Sequence, residues 1–284
     1  MNRQYVYFIL IILFILLINY SFQSDILLNK YKIVIPKYTP RVINETINNP
    51  YNIPLTIYQS WHSNIIPNTM ALYIKKLIDM NPEFDYYLYS DENSRLFIKD
   101  NFNEDVLNAF DTLIPGAYKS DLWRYCILYV KGGIYLDLKF YCKIPLKNIL
   151  IYGSTVFVKD RFLKNMVPRE KYNIYNALMV SIPYNIIFKH CIDDIVNSCK
   201  LKLYKENPLA VTGPELLGFI VMKYEPEKYN DYVKFIHEDG GIVKVINNNI
   251  VILGEYSEYR KEQQFFQKTK RYNELWHERK IYNM

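Results

Sequence analysis

The sequence predicts an α/β fold with a mainly parallel sheet, and three observations carry that prediction. Short apolar segments alternate with amphipathic helical patterns from residue 53 onward. A helical pattern over residues 120–131 runs through Gly132 and Gly133 into an alternating segment over 134–140. The composition is that of a globular chain: 284 residues, 50% hydrophobic and 23% charged, with 13 Pro and 9 Gly. The same numbers exclude a disordered, collagen-like or coiled-coil chain, and no period of 20–50 residues suggests a solenoid.

Taken in order, the first element is an apolar run over residues 5–18, which continues without a charge to Phe22. As a helix, residues 5–22 would span about 27 Å, enough for a bilayer core. Tyr5, Tyr7, Tyr20 and Phe22 sit where interfacial rings belong. The exit through Asn19, Tyr20, Ser21, Phe22, Gln23 and Ser24 is a poor match to the A-x-A pattern of a signal-peptide cleavage site. The reading is an uncleaved transmembrane anchor over 1–24, in contact with membrane lipid through residues 5–22. Arg3 before the span and Lys30, Lys32 and Lys37 after it do not decide the orientation. The sequon Asn44-Glu45-Thr46 favours a single-pass protein with a luminal body of the ER or Golgi type. Residues 25–50, with Pro36, Pro40 and Pro50, read as a stem, and residues 51–284 as the folded body.

Within the body, residues 55–59 read as a strand and 69–80 as a helix that stops at Asn81-Pro82. Residues 84–89 read as a second strand, and 92–101 and 105–113 as helices. In the next helix Ser120 is the expected N-cap, which puts Asp121 in the positive first turn. Asp121 and Arg124, three apart, share a face. Gly132 and Gly133 supply a left-handed stop. The alternation over 134–140 predicts a half-buried strand, with Asp137 and Lys139 on the face opposite Ile134, Leu136, Leu138 and Phe140. Further strands are expected over 155–159 and 177–181, and a helix over 186–199. Thr212 and Glu215 have capping-box spacing for another helix. Asp239-Gly240-Gly241 reads as a turn between 232–238 and 242–246.

The net charge of +6 suits an anionic partner such as a nucleotide or phosphate. The lysines form no basic block, so nucleic acid is not an expected partner. Four cysteines without a C-x-x-C or Cys/His cluster argue against a zinc site. Cys126 reads as a core residue, and in an oxidising lumen disulfide pairing stays open. No GxGxxG, Walker-type loop, HExxH or GxSxG sequence supports a dehydrogenase, NTPase, zinc protease or esterase.

The segment SDLWRYCILYVKGGIYLDLKF, residues 120–140, resembles the core motif of the DXD-motif sugar transferases. In that family a helix beginning Ser-Asp-x-x-Arg-Tyr leads through Gly-Gly-Ile-Tyr to an Asp-x-Asp pair. Fungal outer-chain-initiating and inositol phosphoceramide mannosyltransferases, bacterial capsule enzymes, large glucosylating toxins and transferases of large DNA viruses belong to this neighbourhood. Residues 53–61 resemble its opening I-P-K-x-I-H-Q-x-W, with Tyr58 in place of the usual His. Residues 176–179 resemble a downstream N-x-x-x strand, and Thr212-Gly213-Pro214 a later T-G-P turn. The resemblance covers roughly residues 53–220.

It implies a GT-A fold, a nucleotide-sugar donor, and transfer of a mannose- or glucose-like hexose, with retention, to a glycan, glycolipid or protein acceptor. Trp61 would stack on the nucleobase. Asp121 and Arg124 would hold the donor sugar and its phosphate side. Asp137 would be the first Asp of the pair, contacting ribose and the shell of a divalent Mn or Mg ion. The second Asp, usually the direct metal ligand, is Lys139, and a charged Lys cannot coordinate a cation. Three consequences stand open. Lys139 takes over the metal's work on the diphosphate, or a metal is still held through Asp137 and a tail ligand such as His277, or the site is impaired. The last leads to a rival reading, a non-catalytic, membrane-tethered nucleotide- or sugar-binding subunit. Each residue also has a plainer reading: Asp121 and Arg124 as a structural ion pair, Trp61 as core packing, and Asp137, Lys139 and His277 as solvated side chains.

Overall fold

The computed structural model describes residues 32–42, 46–161, 172–266 and 270–283. The expected anchor over 1–24 lies outside them, as do Asn44 and Glu45 of the sequon. Among the described residues no helix is long and apolar enough to cross a membrane.

Strands β1 (Lys32–Val34) and β2 (Tyr38–Thr39) fall in the stretch expected as a stem. β1 pairs with β4 (Ile65–Pro67) in a small two-stranded sheet, and β2 adds to β5 (Asp85–Tyr89) at one edge of the main sheet. This part of the stretch is therefore joined to the body by ladder hydrogen bonds.

The main sheet contains β3 (Thr56–Ser60), β6 (Gly133–Leu136), β7 (Phe140–Cys142), β8 (Thr155–Lys159), β9 (Leu178–Ser181), β10 (Val233–Glu238), β11 (Ile242–Val245) and β12 (Val251–Glu255) besides β2 and β5. Its order is β2-β5-β3-β6-β9-β8-β10-β11-β12-β7. Pairing is parallel at β5–β3, β3–β6 and β8–β10 and antiparallel at the other junctions. The sheet is thus mixed, where the sequence led us to expect a mainly parallel one. Parallel neighbours need long crossovers, and the first half has them: α1 (Asn68–Met80) joins β3 to β5, while α2 (Asp91–Asn101), α3 (Glu104–Thr112) and α4 (Gly116–Lys131) join β5 to β6. In the second half β10, β11 and β12 follow one another through short turns, which permit only antiparallel pairing. Gly240 and Gly241, at φ +77° and +72°, make the first of those turns.

Both faces of the sheet are covered. Tyr58, Tyr89, Tyr135, Phe157 and Met179 pack under α2, α3, α4, α5 (Ile186–Lys200) and α7 (Pro214–Tyr224). Their chain neighbours Ile57, Leu88, Ile134, Leu136, Val156, Val158, Leu178 and Val180 pack on the opposite face with α1 and the inner residues of β10–β12. β6 is therefore buried on both sides and not half-buried as its alternation suggested. It is also shorter than expected. Its antiparallel partner β9 begins at Leu178, opposite Leu136, and the last bond runs from the Asp137 amide to Ala177 O at 2.9 Å. The Phe140 amide then donates to Asp137 O at 3.2 Å, closing a turn over residues 137–140. Asp137 and Lys139 consequently do not share a strand face.

α4 begins at Gly116, one turn before the expected cap at Ser120. Pro115 has φ −65° and no N–H, so a helix can start directly after it without a capping side chain. The first helical bond runs from the Lys119 amide to Pro115 O, which places Ser120 and Asp121 inside the helix. The stop at Gly132 and Gly133 is as expected: both have positive φ, +64° and +98°. A Cβ on Gly132 would lie 2.7 Å from Pro183 N, and one on Gly133 2.7 Å from Thr56 O. The helix end and strand start thus approach the neighbouring backbone more closely than any other residue permits.

Candidate active site

The strands after β3 are placed on its two sides, β5 on one and β6 on the other. In an open α/β sheet, such a reversal opens a crevice at the carboxyl ends of the strands, where ligands bind. At those ends stand Ser60, the last residue of β3, and Asp137, the residue after β6. The Ser60 hydroxyl lies 2.9 Å from that of Ser120, tying β3 to α4 at this level.

α4 delivers Asp121 and Arg124 to the same place. Asp121 is 8% exposed and Arg124 6%. Thr212, the last residue of α6 (Pro208–Thr212), donates from its hydroxyl to Asp121 Oδ2 at 2.7 Å, and the Asn176 amide donates to Oδ1 at 3.0 Å. Arg124 donates to Asn176 O at 2.8 Å and to the Ser120 hydroxyl at 3.0 Å. Its guanidinium lies 3.4 Å from Asp121 Oδ1 and 3.5 Å from Asp137 Oδ1, with its carbon 4.3 Å above the centre of the Tyr135 ring. The Tyr135 hydroxyl donates to the same Asp137 oxygen at 2.7 Å. Oδ2 of Asp137 has no hydrogen bond or ion pair among the described residues.

The electrostatics follow from burial. Burial raises the pKa of Asp121, and Arg124 and Thr212 offset that only in part. Burial also works against the charge of Arg124, but Tyr135, Asp121 and Asp137 outweigh it and hold the guanidinium above its ordinary pKa. Arg124 is thus a fixed cation clamped between two carboxylates, one fully engaged by protein groups and one with an open oxygen.

Lys139 lies in the turn after Asp137 and is 7% exposed. Its ammonium sits 4.9 Å from the ring centre of Tyr175 and 5.2 Å from that of Phe140, with no carboxylate at ion-pair distance among the described residues. Trp61 follows β3 directly, and its amide donates to Tyr89 O at 3.0 Å. Its ring packs partly buried beside His62, and its indole Nε1 is buried without a hydrogen-bond partner among the described residues. His277 ends α10 (Tyr272–His277), exposed, with its ring edge-on to Trp276. Asp121, Arg124 and Asp137 are thus brought together, Lys139 and Trp61 lie at the same strand ends, and His277 makes no contact with them.

Asn176 and Thr212 are the site residues whose roles the sequence reading missed. Both lie in segments that resemble family motifs, and the Thr212–Glu215 spacing predicts a helix cap. The structure corrects this: the N-cap of α7 is Gly213, with no side-chain cap bond, and Pro214 opens the helix. The Thr212 hydroxyl serves Asp121, and Glu215 accepts from the Asn207 amide at 2.5 Å.

A divalent Mn or Mg ion takes about six oxygen ligands, one or two of them protein carboxylates and the rest waters and donor phosphates. Here one carboxylate has an open oxygen, its other oxygen faces a guanidinium, and a second cation follows two residues on. Among the described residues no group of three His, Cys, Asp or Glu could hold a metal. The residues present do not fit a protein-held divalent cation.

Residues 67–156 match the family model of the glycosyltransferase sugar-binding region containing DXD motif. The chain is 28% identical over 192 residues to Inositol phosphoceramide mannosyltransferase 2 of Schizosaccharomyces pombe, covering 66% of this chain and 52% of that protein. It is 30% identical over 183 residues to Mannosyl phosphorylinositol ceramide synthase CSH1 of Saccharomyces cerevisiae, covering 62% and 44%. It is 29% identical over 167 residues to an uncharacterized glycosyltransferase of Acanthamoeba polyphaga mimivirus, covering 55% and 64%. The chain spans about half the length of the two yeast proteins.

Proposed function

We propose, for a chain that belongs through residues 67–156 to the glycosyltransferases with a DXD-containing sugar-binding region, that it is a membrane-anchored GT-A hexosyltransferase. It takes a mannose- or glucose-like sugar from a nucleoside diphosphate and passes it, with retention, to a glycan, glycolipid or protein acceptor. The names of the yeast relatives support mannose and a glycolipid acceptor. The observation that carries the reading is the open Asp137 oxygen at the reversal between β3 and β6, braced by Arg124.

Glycosyl transfer builds positive charge at the anomeric carbon and negative charge on the departing diphosphate. In this reading Asp137 accepts from donor hydroxyls through Oδ2. Arg124 fixes the position of Asp137 and lends its charge to the phosphate side, while Asp121, Asn176 and Thr212 hold Arg124 still. Trp61, whose Nε1 lacks an acceptor among the described residues, faces the base or ribose. The reading is tested by incubating the full chain in detergent with a panel of uridine- and guanosine-diphosphate hexoses and following release or transfer of the sugar. The expected result is turnover of at least one donor, lost in Asp137→Ala. A chain that binds donors and turns over none supports the second reading, a nucleotide- or sugar-binding subunit. The observation favouring that reading is the cation at position 139.

The anchor is tested separately. Removing residues 1–24 is expected to shift the protein from the membrane to the soluble fraction with an unchanged melting temperature, since the site residues all lie beyond residue 50. A truncated chain recovered only from membranes would refute a single anchor over those residues.

A further inference from the structure

We propose that Lys139, with Arg260, supplies the positive charge that receives the donor's departing diphosphate, so that this site works without a divalent cation. The inference rests on the transferase reading above. In the step, the bond between the anomeric carbon and the diphosphate oxygen breaks with its electron pair going to that oxygen. The acceptor hydroxyl forms the new bond on the same face of the sugar, and its proton passes to the departing phosphate. Lys139 and Arg260 enter and leave the step charged.

Lys139 stands in the turn where the family's second carboxylate would be, so a cation replaces a carboxylate there and Asp137 is the one motif carboxylate left. Its ammonium is buried to 7% exposure without an ion-pair partner among the described residues. A cation in that condition is worth least to folding and most to an arriving anion. Two aromatic faces, Tyr175 at 4.9 Å and Phe140 at 5.2 Å, hold it in place and favour its charge.

The platform beneath it is itself fixed. The ring of Tyr175 is stacked on that of His237 at 3.9 Å with 6° between the planes. His237 Nδ1 lies 3.1 Å from Asp160 Oδ1 at the end of β8. The Tyr175 hydroxyl is buried without a hydrogen-bond partner among the described residues, an open donor on the same platform.

Arg260 comes from α9 (Tyr259–Phe266). Its carboxylate partner among the described residues is Glu255, at 3.6 Å, it donates to Gln263 Oε1 at 3.1 Å, and 58% of its side chain is exposed, so these surface contacts can give way to an anion. The pKa of Lys139 is lowered by burial, with Asp137 and Glu255 opposing and Arg260 pushing the same way as burial. The Tyr256 amide donates to Lys139 O at 3.1 Å and Glu255 pairs with Phe140 across β12 and β7, which brings the start of the segment carrying Arg260 beside Lys139.

The test is equilibrium binding of uridine diphosphate and guanosine diphosphate to the full chain, in chelator and in Mn, with circular dichroism as the check on folding. Wild type is expected to bind one of them equally well in both conditions. Lys139→Met, which keeps the packed stem, is expected to weaken binding in chelator at least about tenfold, the loss of one charged hydrogen bond. Arg260→Gln, on an exposed helix face, is expected to weaken it by a smaller factor with no change in fold. Lys139→Asp is expected to bind only when Mn is present. Wild-type binding that appears only with Mn overturns the inference and leaves the transferase reading standing. Wild-type affinity in chelator for both Lys139→Met and Arg260→Gln also overturns it. Failure of both nucleotides to bind under either condition overturns the inference together with the transferase reading.

Discussion

Asp137→Ala is expected to lower turnover by at least about a hundredfold, the scale of losing one group aimed at developing charge. The melting temperature is expected to stay nearly unchanged. The Asp137 side chain is 23% exposed and only its Oδ1 is held, by Tyr135 and Arg124. Without it, Arg124 keeps its bonds to Ser120 and Asn176 and its neighbour Asp121. Asp137→Asn separates charge from shape, because the amide oxygen can still accept from Tyr135. An equal loss in both variants assigns the effect to the carboxylate. Turnover surviving in Asp137→Ala would remove catalysis from the carboxyl ends of β3 and β6.

The second large effect is on stability. Asp121→Ala is expected to destabilise the fold by roughly 3–5 kcal/mol, because it breaks a buried ion pair and leaves Asp137, which is partly exposed, as the remaining carboxylate beside Arg124. The Thr212 hydroxyl and the Asn176 amide lose their acceptor at the same time. In a chain of this size that corresponds to a fall of about 10 °C in melting temperature. Donor affinity, measured well below the melting temperature, is expected to fall as well, since Arg124 loses the group that orients it. Asp121→Asn, which keeps the shape, is expected to lie between. A large loss of affinity with no change in melting would instead make Asp121 a direct donor ligand and only incidentally a brace.

The sequence made the first half of the body readable because its signals there are local. The helix over 68–80 ends at Asn81-Pro82, the helix of 91–101 has a Ser90 cap, and Gly132 and Gly133 stop α4. Asp121, Arg124 and Asp137 were legible as a group through the motif that contains them. The misreadings arose where a distant residue decides the outcome. Ser120 has the chemistry of a cap, but Pro115 starts the helix, and the Ser120 hydroxyl turns to Ser60 and Arg124. Residues 134–140 alternate as one strand would, but the start of β9 stops the ladder at Leu136. Lys139 looked like a solvated lysine because nothing nearby in sequence announces the rings of Tyr175 and His237. The mixed sheet follows from connection lengths after residue 140, where the periodic signal is weakest.

The hydrogen bonds to Asp121 also have a consequence in time. Its two donors lie 55 and 91 positions farther along the chain. Closing loops of that length comes late in folding, after the local helices and turns have formed. Until both segments arrive, a folding chain carries α4 with Asp121 lacking its Asn176 and Thr212 donors. The population able to bind donor is therefore the population that has completed its long-range contacts. Any ligand of the site then acts as a pharmacological chaperone, drawing nascent chains toward the finished state in proportion to its concentration over its dissociation constant.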